Sequence, residues 1–159
     1  MKRKLTVAEK AAKRKRRLNM KPLPSLIVSS LLVLTVLAAT AWAGPKEEEA
    51  VKIAQAWLKL VDGAQYKESW SEAASFFKER VKEDDWVKMI ELARKPFGEV
   101  VERKLLNVSY TPSLPGAPDG EYVVIQFQTT FSKKKNSIET ITPMKDADGP
   151  WRVSGYFIK

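Results

Sequence analysis

Apolar residues between Pro45 and Gly98 recur every three or four positions, which is the spacing of amphipathic helices. Start and stop signals divide this stretch into three predicted helices, at Pro45–Asp62, at about Tyr66–Val81, and from Glu83 to the residues before Pro96. The positions expected to face the core are Val51, Ala54, Leu58 and Val61, then Trp70, Ala73 and Phe77, then Trp86, Ile90 and Ala93.

After Gly98 apolar residues alternate with polar ones, which predicts strands. Four strands are expected: one that carries Leu106, Val108 and Tyr110, one at 122–131, one at about Ser137–Met144, and one at Trp151–Ile158. In the second strand the residues expected to face inward are Val123, Ile125, Phe127, Thr129 and Phe131. Their short connections predict an antiparallel meander whose apolar face the helices must cover. The predicted class is therefore α+β, with three N-terminal helices packed on a four-stranded antiparallel sheet.

A strongly apolar, uncharged stretch centred on Leu26–Ala39 precedes the helices. Small residues at Ala41 and Ala43 fit a signal peptidase site before Gly44, so residues 23–43 are interpreted as a signal peptide. The same residues are long enough to span a bilayer uncleaved, which keeps a transmembrane anchor as an alternative. The short apolar core favours cleavage. Under both interpretations residues 1–22 are a basic cytoplasmic leader and residues 44–159 are an exported domain. If the segment is cleaved, the domain is periplasmic or extracellular. If it is not cleaved, the domain stays anchored in the inner membrane, on its outer side.

The basic leader is longer than a signal peptide requires. Met20-Lys21 begins a compact signal peptide of its own, so a translation start at Met20 is one explanation. The other is that Lys13–Arg17 contacts anionic lipid next to the membrane. The sequence leaves both open.

The net charge of the chain changes at the same boundary as the predicted cleavage site, between residues 43 and 44. The whole chain carries a formal charge of +9, residues 1–43 contain ten basic and one acidic residue, and residues 44–159 contain 18 of each. A neutral domain has no field that gathers phosphates, so no nucleic-acid partner is expected. The membrane is the partner that the N-terminal segment predicts.

The chain contains neither cysteine nor histidine. This composition excludes disulfides, thiolate chemistry, Ser-His-Asp and Cys-His catalysis and nearly all transition-metal sites. Carboxylate, tyrosine, lysine and arginine chemistry remains possible. We expect no cofactor and no metal.

Several motifs of residues 46–159 resemble a bacterial family, domain of unknown function 4019. They are Ser69-Trp70 with Ala74-Ser75 and Phe77, Arg94–Gly98, Arg103, Pro115–Tyr122, Phe131, Glu139 and Asp148–Phe157. The resemblance implies a cone-shaped domain of the nuclear-transport-factor-2-like (cystatin-like) superfamily, in which helices wrap a curved sheet around a pocket. It implies little about activity, because that superfamily includes isomerases, dehydratases, binding modules and scaffolds.

The candidate ligand-binding residues are Arg94, Arg103, Glu139, Arg152 and Tyr156. In a ligand site, an arginine would hold a carboxylate or phosphate while Glu139 or Tyr156 orients it. The favoured interpretation is structural: an Arg–Glu pair ties the end of the third helix to the sheet, because ion pairs that fix an element are commoner than ligand clamps.

Two classes of function follow. One is a non-catalytic envelope module that binds a small ligand or a partner protein. The other is an isomerase or hydrolase that uses carboxylate, tyrosine and arginine side chains in the cone pocket. The predicted inward strand positions carry no paired acids of the kind that isomerases of this superfamily use, which favours the binding module.

Overall fold

The computed structural model describes residues 44–159, which form four helices followed by four strands. The helices are α1 (Pro45–Asp62), α2 (Tyr66–Ser71), α3 (Ser75–Arg80) and α4 (Glu83–Arg94). The strands are β1 (Val100–Thr111), β2 (Tyr122–Phe131), β3 (Ser137–Lys145) and β4 (Trp151–Ile158). The predictions made for residues 1–43, including the cleavage site between Ala43 and Gly44, lie outside the described residues.

The four strands form one antiparallel sheet in the order β1-β2-β3-β4. The α+β class and the antiparallel meander are therefore confirmed. In β2 the predicted inward residues, from Val123 to Phe131 at every second position, are all buried. Since side chains of a strand alternate between its two faces, this row marks the face on which the core lies.

Helix α1 begins and ends where the sequence predicts. Pro45 lies in the first turn, where its missing N–H costs no hydrogen bond, and Glu47 and Glu48 lie where the helix dipole favours acids. The backbone N–H of Gly63 donates to the carbonyl of Lys59 and closes the last turn. The side chains that α1 buries are those of Ala50, Ala54, Trp57, Leu58 and Val61.

The predicted second helix is wrong as a single element, because the chain breaks between α2 and α3. At the break Ala73 forms a parallel bridge with Val153, and the N–H of Ala74 donates to the carbonyl of Val153 at 2.9 Å. A backbone group bonded to a strand cannot also complete a helical turn. The described residues thus contain four helices instead of three. Trp70, predicted to be in the core, is only half-buried, and its indole N–H donates to the carbonyl of Val81 at 2.7 Å.

The alternation predicted for Leu106, Val108 and Tyr110 is interrupted in β1. The pairing of β1 with β2 shifts between Leu105 and Asn107, so an extra residue interrupts the alternation there. Leu106 is 55% exposed, whereas Val108 packs against the core. A bulge cannot be recognised from alternation alone, because the pattern on either side of it looks regular.

The core between the helices and the sheet contains a cluster of aromatic rings. Trp86 lies 5.7 Å from Trp57 and 5.2 Å from Phe77, measured between ring centroids, and its contact with Phe77 is edge-to-face. Tyr156 of β4 joins the cluster at 5.7 Å from Trp57. Trp86 is buried, which confirms its prediction as a core residue, and Trp57 is buried as well. None of the helices within residues 44–159 has the length and apolarity needed to cross a membrane.

Candidate functional site

The last turn of α4 brings Arg94 to the sheet. Trp86, Ile90 and Arg94 follow one another at four-residue intervals and therefore share one face of the helix, and all three are buried. Ala93, which was predicted to face the core, is exposed. The prediction for Ala93 failed because the next residue, Arg94, occupies the buried face of α4 in its place.

The guanidinium of Arg94 donates to three side chains on three different elements. Its Nη1 donates to Oε1 of Glu139 at 2.9 Å and to the hydroxyl of Tyr156 at 3.2 Å, and its Nη2 donates to Oδ1 of Asp62 at 2.7 Å. The same group lies 4.7 Å from the centroid of the Phe131 ring, within the range of a cation–π contact. Arg94 therefore links the end of α4 to α1, β3 and β4.

Arg103 of β1 reaches the same two carboxylates from the other side. Its Nε donates to Oε2 of Glu139 at 2.7 Å, while Nη1 and Nη2 donate to the two oxygens of Asp62 at 2.7 and 3.0 Å. Burial works against the charge of Arg103, but the hydrogen bonds to Asp62 and Glu139 outweigh burial and raise the pKa of the guanidinium above its usual range.

Glu139 lies at the centre of this arrangement and is completely buried. Its Oε1 accepts from Arg94 and from the hydroxyl of Tyr156, the latter at 2.7 Å. Its Oε2 accepts from Arg103 and from the hydroxyl of Thr129, the latter at 2.5 Å. We call Asp62, Arg94, Arg103 and Glu139, with the hydroxyls of Thr129 and Tyr156, the buried ion cluster. It is buried at Glu139 and Arg94 and reaches solvent at Asp62, whose side chain is 24% exposed.

The buried ion cluster is neutral, since two guanidinium groups face two carboxylates. Burial, and then the charge of Glu139, raise the pKa of Tyr156 well above the ordinary tyrosine value, so its phenol stays protonated and donates to the carboxylate. Each oxygen of Glu139 has two donors. No lone pair of this carboxylate is left for a substrate or a water molecule.

Two members of the buried ion cluster were missed from the sequence. Asp62 was interpreted only as the end of the first helix, and Thr129 only as one of the inward residues of β2. Thr129 did carry a signal, since it is the one hydroxyl in an otherwise apolar row of inward side chains and is fully buried. A buried hydroxyl requires a partner, and Glu139 provides it.

Arg152, the fifth predicted site residue, belongs to a different group. It donates to Oδ2 of Asp146 at 3.0 Å and to both oxygens of Asp148 at 2.6 and 2.8 Å. Asp146 also accepts from the backbone N–H and the hydroxyl of Ser75, so it joins the β3–β4 turn to the start of α3. Burial opposes the charge of Asp146, but these hydrogen bonds outweigh it and lower the pKa of the carboxyl. The structure does not bring Arg152 together with the other four candidates.

The space next to Tyr156, on the aromatic side of the buried ion cluster, is closed. The gap between Trp57, Phe77, Trp86 and Tyr156 is too narrow to hold a water molecule. Two open grooves lie elsewhere on the described surface. The α1 groove, of about 430 Å³, is lined by Ile53, Ala56, Trp57, Leu60, Glu72 and Pro150–Arg152, and the α4–β4 groove, of about 240 Å³, is lined by Trp86, Met89, Ile90, Ala93 and Tyr156–Ile158.

Metal ligands do not gather in the part of the chain that the structure describes. Within residues 44–159 no three Asp or Glu side chains come close enough together to hold an ion. Asp62 and Glu139 meet through the two arginines that bridge them, and those cations occupy the place a metal ion would need.

Comparison with known proteins gives one match. The model of a family described as "Protein of unknown function (DUF4019)" matches residues 53–156. No curated protein and no solved structure matches the chain. The matched span includes every member of the buried ion cluster.

Proposed function

The chain belongs to the DUF4019 family, and from that premise we propose that its C-terminal domain is a non-catalytic binding module of the bacterial cell envelope. The matched residues make up well over half of the chain, and the family description names no activity. The proposal therefore depends on the chemistry of the described side chains.

The observation that carries the proposal is that Glu139 and Arg94, at the centre of the buried ion cluster, are buried and bonded on all sides. A general acid or base needs a proton or a lone pair that can meet the substrate. Glu139 is fully buried and both of its oxygens are already occupied by donors, while Arg94 is 7% exposed and bonded to three partners. These groups connect α1, α4, β1, β3 and β4, as the structural interpretation of the Arg–Glu pair expects.

The isomerase or hydrolase alternative is less well supported. It would need an open pocket in which a carboxylate or a tyrosine faces the substrate. The order of four helices followed by a four-stranded meander supports a place in the nuclear-transport-factor-2-like superfamily, whose cone would enclose such a pocket. In this chain, Trp57, Phe77, Trp86 and Tyr156 fill the space next to the buried ion cluster. Binding is therefore proposed at the surface and not in the interior.

The α1 groove supports a small ligand as one target of the module. Its volume of about 430 Å³ lies within the range of about 300–1,000 Å³ that is usual for small-molecule sites. Its wall is apolar where Ile53, Leu60 and Trp151 line it, and Glu72 and Arg152 add charged groups. A partner protein is the other target, and the α4–β4 groove is the surface considered for it below.

Export is part of the same proposal. It is supported by the apolar segment at residues 23–43, by the small residues before Gly44, and by the concentration of the net positive charge ahead of that segment. Intact-mass analysis of the protein from an envelope fraction should give an N-terminus at Gly44. A mass that retains Met20 or Met1 would support the membrane anchor, and a protein found only in the cytoplasmic fraction would contradict export.

The binding proposal is tested by a crystal structure of the protein purified from its native envelope fraction, at a resolution that shows co-purified molecules. We expect ligand density in a surface groove and all the pairs of the buried ion cluster unchanged. A small molecule lying between Glu139 and either arginine, with those pairs displaced, would contradict the proposal and favour the enzyme alternative.

A further inference from the structure

Strand β4 forms one edge of the sheet, and only part of that edge is covered. Ala73 and Ala74 pair with β4 at Val153, where the N–H of Ala74 donates to the carbonyl of Val153. The protein thus already adds one short extended segment to this edge. Beyond Val153, from Gly155 to Ile158, no described segment pairs with the outer side of β4.

The uncovered part of the edge presents backbone groups without partners among residues 44–159. Ile138 and Lys159 exchange both of their backbone hydrogen bonds. This pair fixes which residues of β4 bond to β3 and which residues lie between the bonded pairs. In an antiparallel pair the residues between two hydrogen-bonded pairs point their N–H and C=O groups to the opposite side. Those residues are Tyr156 and Ile158, so their backbone groups point toward the open edge.

The α4–β4 groove runs beside this open edge. Met89 of α4 is 50% exposed and Phe157 of β4 is 60% exposed, so apolar side chains that a partner could bury lie beside the open edge. Side chains of a strand alternate, so Ile158 lies on the helix side of the sheet while Phe157 lies on the other. Both faces of an added strand would therefore meet apolar side chains.

We propose that the uncovered edge of β4 binds an extended peptide segment of a partner protein as a fifth strand, with apolar side chains of the peptide seated in the α4–β4 groove. This inference rests on the proposed function, since it specifies the partner class of the binding module. Only an extended backbone presents donors and acceptors at the spacing that Tyr156 and Ile158 require, and an apolar groove beside the edge selects alternate side chains.

The size of the surface favours a peptide over a second copy of this chain or a small molecule. Four residues of strand span about 13 Å, which is short for two copies that must bury about 1,200 Å² or more in a stable interface. The groove volume of about 240 Å³ is below the roughly 300 Å³ at which small-molecule pockets begin. It suits one or two side chains of a strand.

The opposite edge of the sheet lacks this combination. β1 also exposes large apolar side chains, at Val101, Leu105, Leu106 and Tyr110. However, its pairing is interrupted by two register shifts, and the charged pair of Glu102 and Lys104 lies in the middle of the strand. Bulges and charged side chains on an edge strand are the devices that prevent edge-to-edge pairing. β4 has one register shift, at Ser154, but from Gly155 to Ile158 its pairing is regular and it carries no charged side chain.

The experiment uses a phage-displayed library of random ten-residue peptides as the probe and the full-length chain as the immobilised target. We expect enriched peptides with apolar residues at alternating positions. Met89→Lys should weaken their binding about tenfold or more, because Met89 lines the groove. The matched control is Leu92→Lys, which is also exposed on α4 but does not line the groove, and which should leave binding within about twofold.

A second measurement separates strand addition from other modes of binding. Methylation of single backbone nitrogens in the four or so peptide residues that face the β4 edge should reduce affinity about tenfold at alternate positions and leave the intervening positions unchanged, because only alternate N–H groups donate to β4. Selected peptides with helical spacing, binding insensitive to N-methylation, or equal losses with Met89→Lys and Leu92→Lys would each overturn the inference.

Failure of this inference is distinguishable from failure of the proposed function. If no peptide is enriched, the fifth-strand inference is overturned, while ligand density in the α1 groove would still support a binding module. If a small molecule is found between Arg94 and Glu139, the proposed function fails, whatever the peptide library shows.

Discussion

Replacing Glu139 with Gln removes one negative charge from a site that water does not reach. Glu139 is fully buried and accepts four hydrogen bonds, from Arg94, Arg103, Thr129 and Tyr156. In Glu139→Gln the amide N–H₂ must face one of the two guanidinium groups, and neither can accept a hydrogen bond. The two arginines would then share the single charge of Asp62.

The expected loss is large because one partner of a buried ion pair is left uncompensated. Such changes cost about 3–5 kcal/mol, and we expect Glu139→Gln and Arg94→Met each to lower the free energy of unfolding by an amount in that range. The double variant should lose less than the sum, by about 0.5–3 kcal/mol, because removal of both groups leaves no stranded partner in that pair.

Urea denaturation, with thermal melting as a second measurement, gives the four free energies of this double-mutant cycle. The control is Glu102→Gln, since Glu102 pairs with Lys104 on the exposed side of β1 and its loss should change stability by less than about 1 kcal/mol. Additive effects, or variants at Arg94 and Glu139 that are more stable than the natural protein, would refute the structural tie. Binding sites often hold unfavourable charge at a cost to the fold, so a gain in stability would instead indicate a ligand site.

Three further predictions concern the rest of the described domain. Phe127→Ala should lower the free energy of unfolding by about 3–5 kcal/mol, because Phe127 is 1% exposed. Trp70→Ala should lower it by less, since Trp70 is half-buried, and equal losses in urea denaturation would contradict this ranking. The raised pKa of Tyr156 means that the folded state keeps a proton that the unfolded state loses above the ordinary tyrosine value of about 10. The melting temperature should therefore fall as pH rises above about 10, and Tyr156→Phe should flatten that decline in melting curves recorded from about pH 8 to 12. The protein cleaved before Gly44 should pass through a heparin column at physiological salt, because residues 44–159 carry no net charge; salt-sensitive retention would reveal a basic patch.

The periodic elements of this protein could be predicted because their signals are local. The bounds of α1, the alternating row of β2 and the order of the meander depend on spacing, caps and turns within a few residues. The same reasoning placed Arg94 near the end of the last helix and Glu139 on an inner strand of the meander. Each of these features is decided by neighbours in the chain, and the sequence was sufficient for them.

Where tertiary contacts compete with local preference, the predictions failed. The helix predicted over Tyr66–Val81 is interrupted because Ala73 and Ala74 pair with Val153, about 80 residues away. Leu106 turns outward because β2 accommodates an extra residue in β1. In both cases the partner strand determines the local conformation, and the segment itself carries no sign of it.

The buried ion cluster shows the same division. The sequence supplied four of its members as candidates, but it also proposed Arg152, which bonds Asp146 and Asp148 at the β3–β4 turn instead. It gave no reason to bring Asp62 to Arg94, because these residues lie 32 positions apart and belong to separate helices. Only the packed chain brings two arginines to one buried glutamate, and only there does burial require that every charge be paired. The sequence determines which groups can ionise, and the tertiary structure determines which of them lose their water and must therefore bind one another.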